Sequence, residues 1–156
     1  MNKRYKDAKI NDEIKDLVKK SIDEDKGIFL YGNTGVGKTY ILNALANAKN
    51  VSVRNFTETL VEFRDAMQKG CYYEKIKDTI AEDYLFIDDI GSETLSNYVV
   101  EFLYIIVNGR YENMKRTVLA TNLSINEFED RYGDRILSRL GEMCVFKEMK
   151  GDDRRI

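Results

Sequence analysis

The chain contains no histidine, no proline and no tryptophan, and only two cysteines, Cys71 and Cys144. Without histidine there is no imidazole to act as a general base, and with two distant cysteines a zinc site is excluded or nearly so. Chemistry here must run on carboxylates, arginine, lysine, asparagine and Mg²⁺. The two thiols lie outside any ligand motif and read as free thiols in a reducing cytosol. No apolar run is long enough to cross a bilayer. The basic start, Met1 to Lys6, has no apolar stretch behind it, so no secretory signal is expected and a cytoplasmic location is. The charges nearly cancel, 25 basic against 27 acidic residues, which leaves a net charge of −2. Any nucleic-acid contact must therefore come from a local patch. No proline marks a boundary, and no repeat or low-complexity tract divides the chain.

What remains is an ordinary globular composition, 43% hydrophobic and 33% charged over 156 residues, which fits one domain. Apolar runs at 28–31, 51–54, 84–88, 117–121 and 143–147 alternate with stretches of helical spacing at 10–20, 40–49, 57–67, 72–81, 92 or 93 to 112, 125–132 and 134–140. The strand runs read as apolar rather than alternating. That predicts a five-stranded parallel sheet between helices, an α/β fold. A polar segment with a short helix is expected over 1–26 and the nucleotide-binding domain over 27–156. The few residues after the last strand are too short for a sizeable C-terminal lid. Residues 1–9 are expected to be loosely held.

The motif with the most chemical content is Gly32-Asn33-Thr34-Gly35-Val36-Gly37-Lys38-Thr39. It is a complete G-x-x-x-x-G-K-[ST] phosphate loop, set between an apolar strand and a helix that opens at Tyr40. Glycines let the backbone turn so that its amides converge on phosphate oxygens, and the helix adds the positive end of its dipole. Lys38 is placed to reach the β- and γ-phosphates, and the Thr39 hydroxyl to ligate Mg²⁺. Residues 32–40 are the candidate ATP contacts.

A second constellation, Leu85-Phe86-Ile87-Asp88-Asp89-Ile90-Gly91, lies about 50 residues further on. An apolar strand ending in acid is a Walker B pattern. In parallel sheets ligands sit at the carboxyl ends of strands. Asp88 is thus the second candidate for Mg²⁺, and Asp89 the candidate to polarise an attacking water. At the end of the next strand stands Asn122, whose amide suits the γ-phosphate or its water; the alternative is an asparagine in a strand-end turn. Arg135 and Arg139, four apart, share a helix face and read either as a solvated basic face or as an arginine finger offered to a neighbouring subunit. The tail Lys150-Gly151-Asp152-Asp153-Arg154-Arg155 either contacts phosphates or is solvated. Lysines and tyrosines interleave over residues 69–77, as in single-strand binding surfaces; an ordinary amphipathic helix reads the same way.

Taken in this order, the phosphate loop, LFIDDIG at 85–91, Ala120-Thr121-Asn122, Arg135 to Leu140 and Gly151 to Arg155 resemble the AAA+ ATPase domain of the DnaC/IstB type, which includes bacterial and phage replicative helicase loaders. Asn108-Gly109-Arg110-Tyr111 also looks like that family's stretch after the Walker B strand. The resemblance spans about residues 27–156. It implies a P-loop NTPase fold of the AAA+ kind, Walker B roles for Asp88 and Asp89, the sensor 1 place for Asn122, the arginine finger for Arg139 and the sensor 2 place for Arg155, with Arg154 as its alternative. It further implies ATP and Mg²⁺ as cofactors and assembly of like subunits on ATP. The partners it implies are a DnaB-type replicative helicase and single-stranded DNA. About 26 residues precede the first strand, too few for a separate helicase-gripping domain, so that step falls to the short N-terminal helix or to another protein. Asp89 stands where many AAA+ enzymes carry glutamate. The shorter acid holds its carboxylate farther from the water, so slow hydrolysis is expected. Three alternatives stand beside the loader. They are a transposition helper ATPase of the same fold, a small P-loop kinase (though 51–54 ends in no acid) and a nucleotide-gated binding module with negligible hydrolysis.

Overall fold

A computed structural model describes residues 3–35 and 37–151. Five strands, Gly27–Gly32 (β1), Val53–Asn55 (β2), Tyr84–Ile90 (β3), Arg116–Thr121 (β4) and Cys144–Met149 (β5), make one all-parallel sheet in the order β2-β3-β4-β1-β5. Seven α-helices connect and cover them: Asp12–Asp23 (α1), Lys38–Ala48 (α2), Phe56–Gln68 (α3), Tyr72–Ala81 (α4), Asn97–Glu112 (α5), Ile125–Tyr132 (α6) and Asp134–Met143 (α7). The expected α/β P-loop architecture is the one observed.

The apolar strands follow from burial on both faces. Ile28, Leu30, Phe86, Val118 and Ala120 pack with Ile14 and Leu17 of α1 and with Ile41, Leu42 and Leu45 of α2. Their strand neighbours Phe29, Leu85, Ile87 and Leu119 point the other way, onto α3 to α7 through Phe63, Phe102, Phe128 and Leu140. Two cores thus clamp the sheet, with Lys147 and Glu148 of the edge strand β5 left exposed. The loops after β1, β3 and β4 all open at the same edge, where the candidate residues lie.

Two local departures bear on that edge. The helix expected from Ser92 or Glu93 begins only at Asn97, because the Ser96 side chain accepts from the Val99 amide and caps it there. Glu93 is left on a connecting loop, yet it is buried. The strand expected at 51–54 is shorter and lies further along, ending at Asn55, which pairs in register with Asp88 and whose side chain caps α3 by accepting from Glu58 N–H.

Arg110, part of the stretch that carried the family resemblance, is wholly buried under the opposite end of the sheet. Its guanidinium donates to the carbonyls of Thr79, Ile80, Glu82 and Arg116 and to the Thr117 hydroxyl, all within 3.1 Å. It ties the end of α4 to the start of β4, so the role visible in the structure is to anchor the fold.

Candidate functional site

Gly35 and Gly37 adopt left-handed φ values of 84° and 98°, which side-chain-bearing residues rarely tolerate, and so the loop folds back over the start of α2. Among the described residues no side chain caps that helix, whose N-terminal amides are of the kind that bind anions. Lys38 is buried at the mouth of the loop, and its ammonium donates to the carbonyls of Gly32 and Asn33, both at 2.6 Å. The Thr39 hydroxyl donates to Asp88 Oδ2 at 2.7 Å, which joins the phosphate loop to the Walker B strand across 49 residues of sequence. Two hard oxygen donors thus meet at one point, the donor chemistry that Mg²⁺ selects, so Thr39 and Asp88 fit as its protein ligands.

Beyond Asp88 the strand is irregular. Between Ile87 and Ile90 the β3 register slips by one residue against β4, which makes a bulge. Asp89 sits in it with φ 63°, a left-handed conformation uncommon outside glycine. Its amide donates to Asp88 Oδ1 at 2.8 Å, and its own Oδ1 accepts from Ser92 Oγ at 2.7 Å, with Asn122 Nδ2 at 3.5 Å. The bulge therefore turns the two successive carboxylates to one side of the sheet, Asp88 toward Thr39 and Asp89 toward Asn122.

These groups line a cleft of about 580 Å³, within the range of small-molecule sites. Thr34, Gly35, Gly37, Lys38, Thr39, Tyr40, Asp88, Asp89 and Asn122 all reach it. Gly32 and Asn33 contribute through the carbonyls that hold Lys38. Val36, Arg154 and Arg155 lie outside the described residues. Arg139 does not line the cleft. It lies on α7, donating through Nε to Asn108 Oδ1 at 3.1 Å, with its guanidinium 4.9 Å from the Tyr111 ring centre. Arg135, one turn earlier, stacks likewise on Tyr104 and donates to its hydroxyl. Both arginines are thus laid along the outside of α5. In the 69–77 stretch Tyr72 packs edge-on to Phe63 and Lys69 pairs with Asp65, while Tyr73 is exposed with Lys77 over its ring.

The cleft also holds groups that the sequence did not single out. Arg4, Tyr5 and Asn11 line it from the N-terminal segment, as does Asn55 from the end of β2. Residues 3–9, expected to be loose, are tied down by Asn47, whose side-chain amide donates to the carbonyls of Tyr5 and Ala8, both at 3.0 Å. One asparagine in a helix gives no sequence signal for such a role. Asn55 could have been found as a polar residue ending a strand beside the Walker B strand.

Burial sets the electrostatics. It raises the pKa of Asp88 above 3.8, against the lowering effect of its bonds from Thr39 and the Asp89 amide, and it lowers that of Lys38, against the two aspartates. A carboxyl with a raised folded-state pKa gives its full contribution to stability at low pH and loses it as pH rises through that value. At neutral pH the charged Asp88 is therefore a cost to the ligand-free protein. Asp88→Asn is expected to gain melting temperature relative to wild type at pH 7, by about 2–4 °C for each ~1 kcal/mol relieved. The gain should shrink as pH falls toward 3.8. Differential scanning calorimetry from pH 7 to pH 4 measures this; a gain that grows on acidification would contradict it.

Residues 3–156 match the family described as IstB-like ATP binding protein. The chain is 28% identical over 115 residues to the replicative helicase loader DnaI of Bacillus subtilis, covering 69% of this chain and 36% of DnaI. It is 25% identical over 145 residues to a protein of insertion sequence IS5376 from Geobacillus stearothermophilus that is named for ATP binding, covering 86% of this chain and 57% of that one. The chain thus spans between about a third and somewhat over half of these curated relatives. Among solved structures, the crystal structure of the DnaC helicase loader superposes with a TM-score of 0.79 at 25% identity, covering 95% of this chain and 99% of that one.

Proposed function

Because the chain belongs to the IstB-like ATP-binding protein family, we propose that it is a slow AAA+ ATPase that assembles through ATP-bridged subunits and helps load a replicative helicase onto single-stranded DNA. The observation that carries the reading is the junction of Thr39 with Asp88 at 2.7 Å, with Asp89 and Asn122 held beside it in one cleft. The small P-loop kinase would place acids at the end of β2, which here ends in Asn55; the cleft instead presents a second carboxylate and an amide beside Thr39 and Asp88, an arrangement suited to orienting water. The resemblance to DnaI and to the DnaC loader supports the choice of a helicase as partner.

The roles follow from position. Lys38 and the loop amides would hold the β- and γ-phosphates, and Thr39 and Asp88 would hold Mg²⁺. The ion, when bound, neutralises charge on the phosphates. Asp89 is placed to orient the water and accept its proton, and Asn122 to hold the γ-phosphate or its water. Arg139, turned away from its own cleft, suits the cleft of a neighbouring subunit. The short Asp89 side chain, already engaged by Ser92, supports slow turnover.

A second reading, a transposition helper ATPase, is favoured by the IS5376 relative, which covers more of this chain than DnaI does. Affinity capture from the host with ATP present separates the two. Recovery of a replicative helicase supports the loader, and recovery of a transposase supports the helper. Phosphate release by purified protein, with and without single-stranded DNA, tests the ATPase. Tight ATP binding with no turnover in either condition would replace it with a nucleotide-gated binding module.

A further inference from the structure

Glu93 has no part in the roles above, yet it is among the most heavily bonded side chains near the cleft. It lies on the loop between β3 and α5, with its side chain only 3% exposed. Its Oε1 accepts from the Gly91 amide at 2.8 Å and from the Tyr132 hydroxyl at 2.9 Å. Its Oε2 accepts from the same hydroxyl at 2.7 Å and from Arg131 Nη2 at 2.6 Å. Arg131 Nη2 also donates to the Glu93 carbonyl. A buried ion pair gains little stability over apolar packing of the same volume, whereas breaking one is costly. Its value here lies in what it joins.

On one side it joins the bulge. The Ile90 carbonyl accepts from Thr121 Oγ1 at 2.6 Å, and the next amide, Gly91, is held by Glu93. Gly91 has φ 110°, and a Cβ there would meet the Leu123 side chain at 2.9 Å, so this position calls for glycine. The left-handed Asp89 lies two residues before this grip. On the other side Glu93 joins the last two residues of α6. Next comes Gly133, φ 95°, with nothing within 4 Å of where a Cβ would stand, and then α7 with Arg135 and Arg139. Its positive φ suits glycine, and its amide donates to the Glu129 carbonyl at 2.8 Å, so this single residue turns the chain from α6 directly into α7.

We propose that Glu93 is a positioning residue that fixes the Asp88–Gly91 bulge from behind and transmits occupancy of the cleft to the end of α6 and the arginine-bearing α7. An adjustment of the bulge to a bound triphosphate pulls on the Gly91 amide, and that amide is bonded to the Glu93 carboxylate, whose other bonds among the described residues come from Arg131 and Tyr132 of α6. This rests on the cleft being an ATP site but needs no hydrolysis.

Hydrogen–deuterium exchange with the Mg²⁺ complex of the non-hydrolysable analogue AMPPCP tests it, on wild type, Glu93→Gln and Tyr132→Phe. In wild type the analogue is expected to slow exchange both in the phosphate loop and in residues 125–133. Glu93→Gln, of the same size but without the charge that pairs with Arg131, should bind the analogue within about twofold of wild type and protect the loop equally. Its response at 125–133 should fall at least fivefold, with a smaller loss in Tyr132→Phe. Where hydrolysis is measurable, kcat of Glu93→Gln should fall about tenfold with KM unchanged. If Glu93→Gln does not fold, Tyr132→Phe and Arg131→Lys carry the same comparison. A residue that only stabilises the fold would change exchange at 125–133 equally with and without analogue, leaving the difference intact. That result overturns the proposal, as does a wild type that shows no response at 125–133. Lack of protection in the wild-type loop would strike the ATP-site reading itself, and this proposal with it.

Discussion

Lys38→Ala is expected to lower affinity for Mg²⁺·ATP by roughly a thousandfold and to abolish ATP-dependent assembly. Removing one partner of a buried, hydrogen-bonded charge pair costs about 2–5 kcal/mol, and a thousandfold is ~4 kcal/mol of that. In the ligand-free protein the ammonium rests on the Gly32 and Asn33 carbonyls, which marks where the cation is held and where phosphate oxygens can reach it. Burial already disfavours its charge. The ligand-free variant should therefore be no less stable than wild type, and loss of binding cannot be put down to unfolding. Wild type at a hundred times its Kd should gain about 2.7 kcal/mol from ligand. In a domain of this size that is a rise of about 5–10 °C in Tm. The variant should show no rise at the same concentration. Calorimetric titration gives the affinity and sedimentation velocity the assembly. Wild-type-like binding and assembly in Lys38→Ala would remove the phosphate-loop assignment.

The parts of the site that could be read in advance are those whose chemistry is local in sequence. The phosphate loop needs its glycines and Lys38 in consecutive positions, so the pattern carries the geometry. The Walker B strand is legible because a strand buried on both faces must be apolar up to the point where it meets the ligand. For the same reason Phe29–Leu30 and Leu85–Ile87 announced a parallel sheet. Glu93 was hidden because an acid just before an apolar-periodic stretch is an ordinary helix start; only the Ser96 cap, three residues later, moves the helix and frees Glu93 to turn inward. Arg110 could be placed in a recognisable stretch, but its five acceptors come from α4, the turn after it and the start of β4, a meeting that exists only once the chain is folded. The N-terminal wall of the cleft is held likewise by tertiary contacts, among them the Asn47 side chain reaching back about 40 residues, the Tyr40 hydroxyl on Lys9 and the burial of Ala8. What was missed is what tertiary contact alone creates.

Arg139→Ala is expected to cut ATPase activity by a factor of roughly 10³ while leaving the nucleotide affinity of the monomer nearly unchanged, because a finger acts on another subunit's phosphate. The structure bears on this through placement. Arg139 does not line its own cleft, and among the described residues its guanidinium is held by Asn108 and the face of Tyr111, a stacked platform from which it can be offered outward. Arg139→Ala supplies an intact Asp89 without a finger; Asp89→Asn supplies a finger without the carboxylate. Each alone should be nearly inactive. In a head-to-tail assembly of the two at equal amounts, roughly a quarter of interfaces pair an intact cleft with an intact finger, so about that share of wild-type activity should return. The recovery must depend on total protein concentration, since it exists only at an interface, and must vanish when Lys38→Ala is added to the Arg139→Ala chain. If no mixing ratio restores activity although both variants assemble on ATP, the trans role fails. Arg139 is then a residue of the α5–α7 packing, and the half-site at Thr39, Asp88, Asp89 and Asn122 must find its second cation elsewhere.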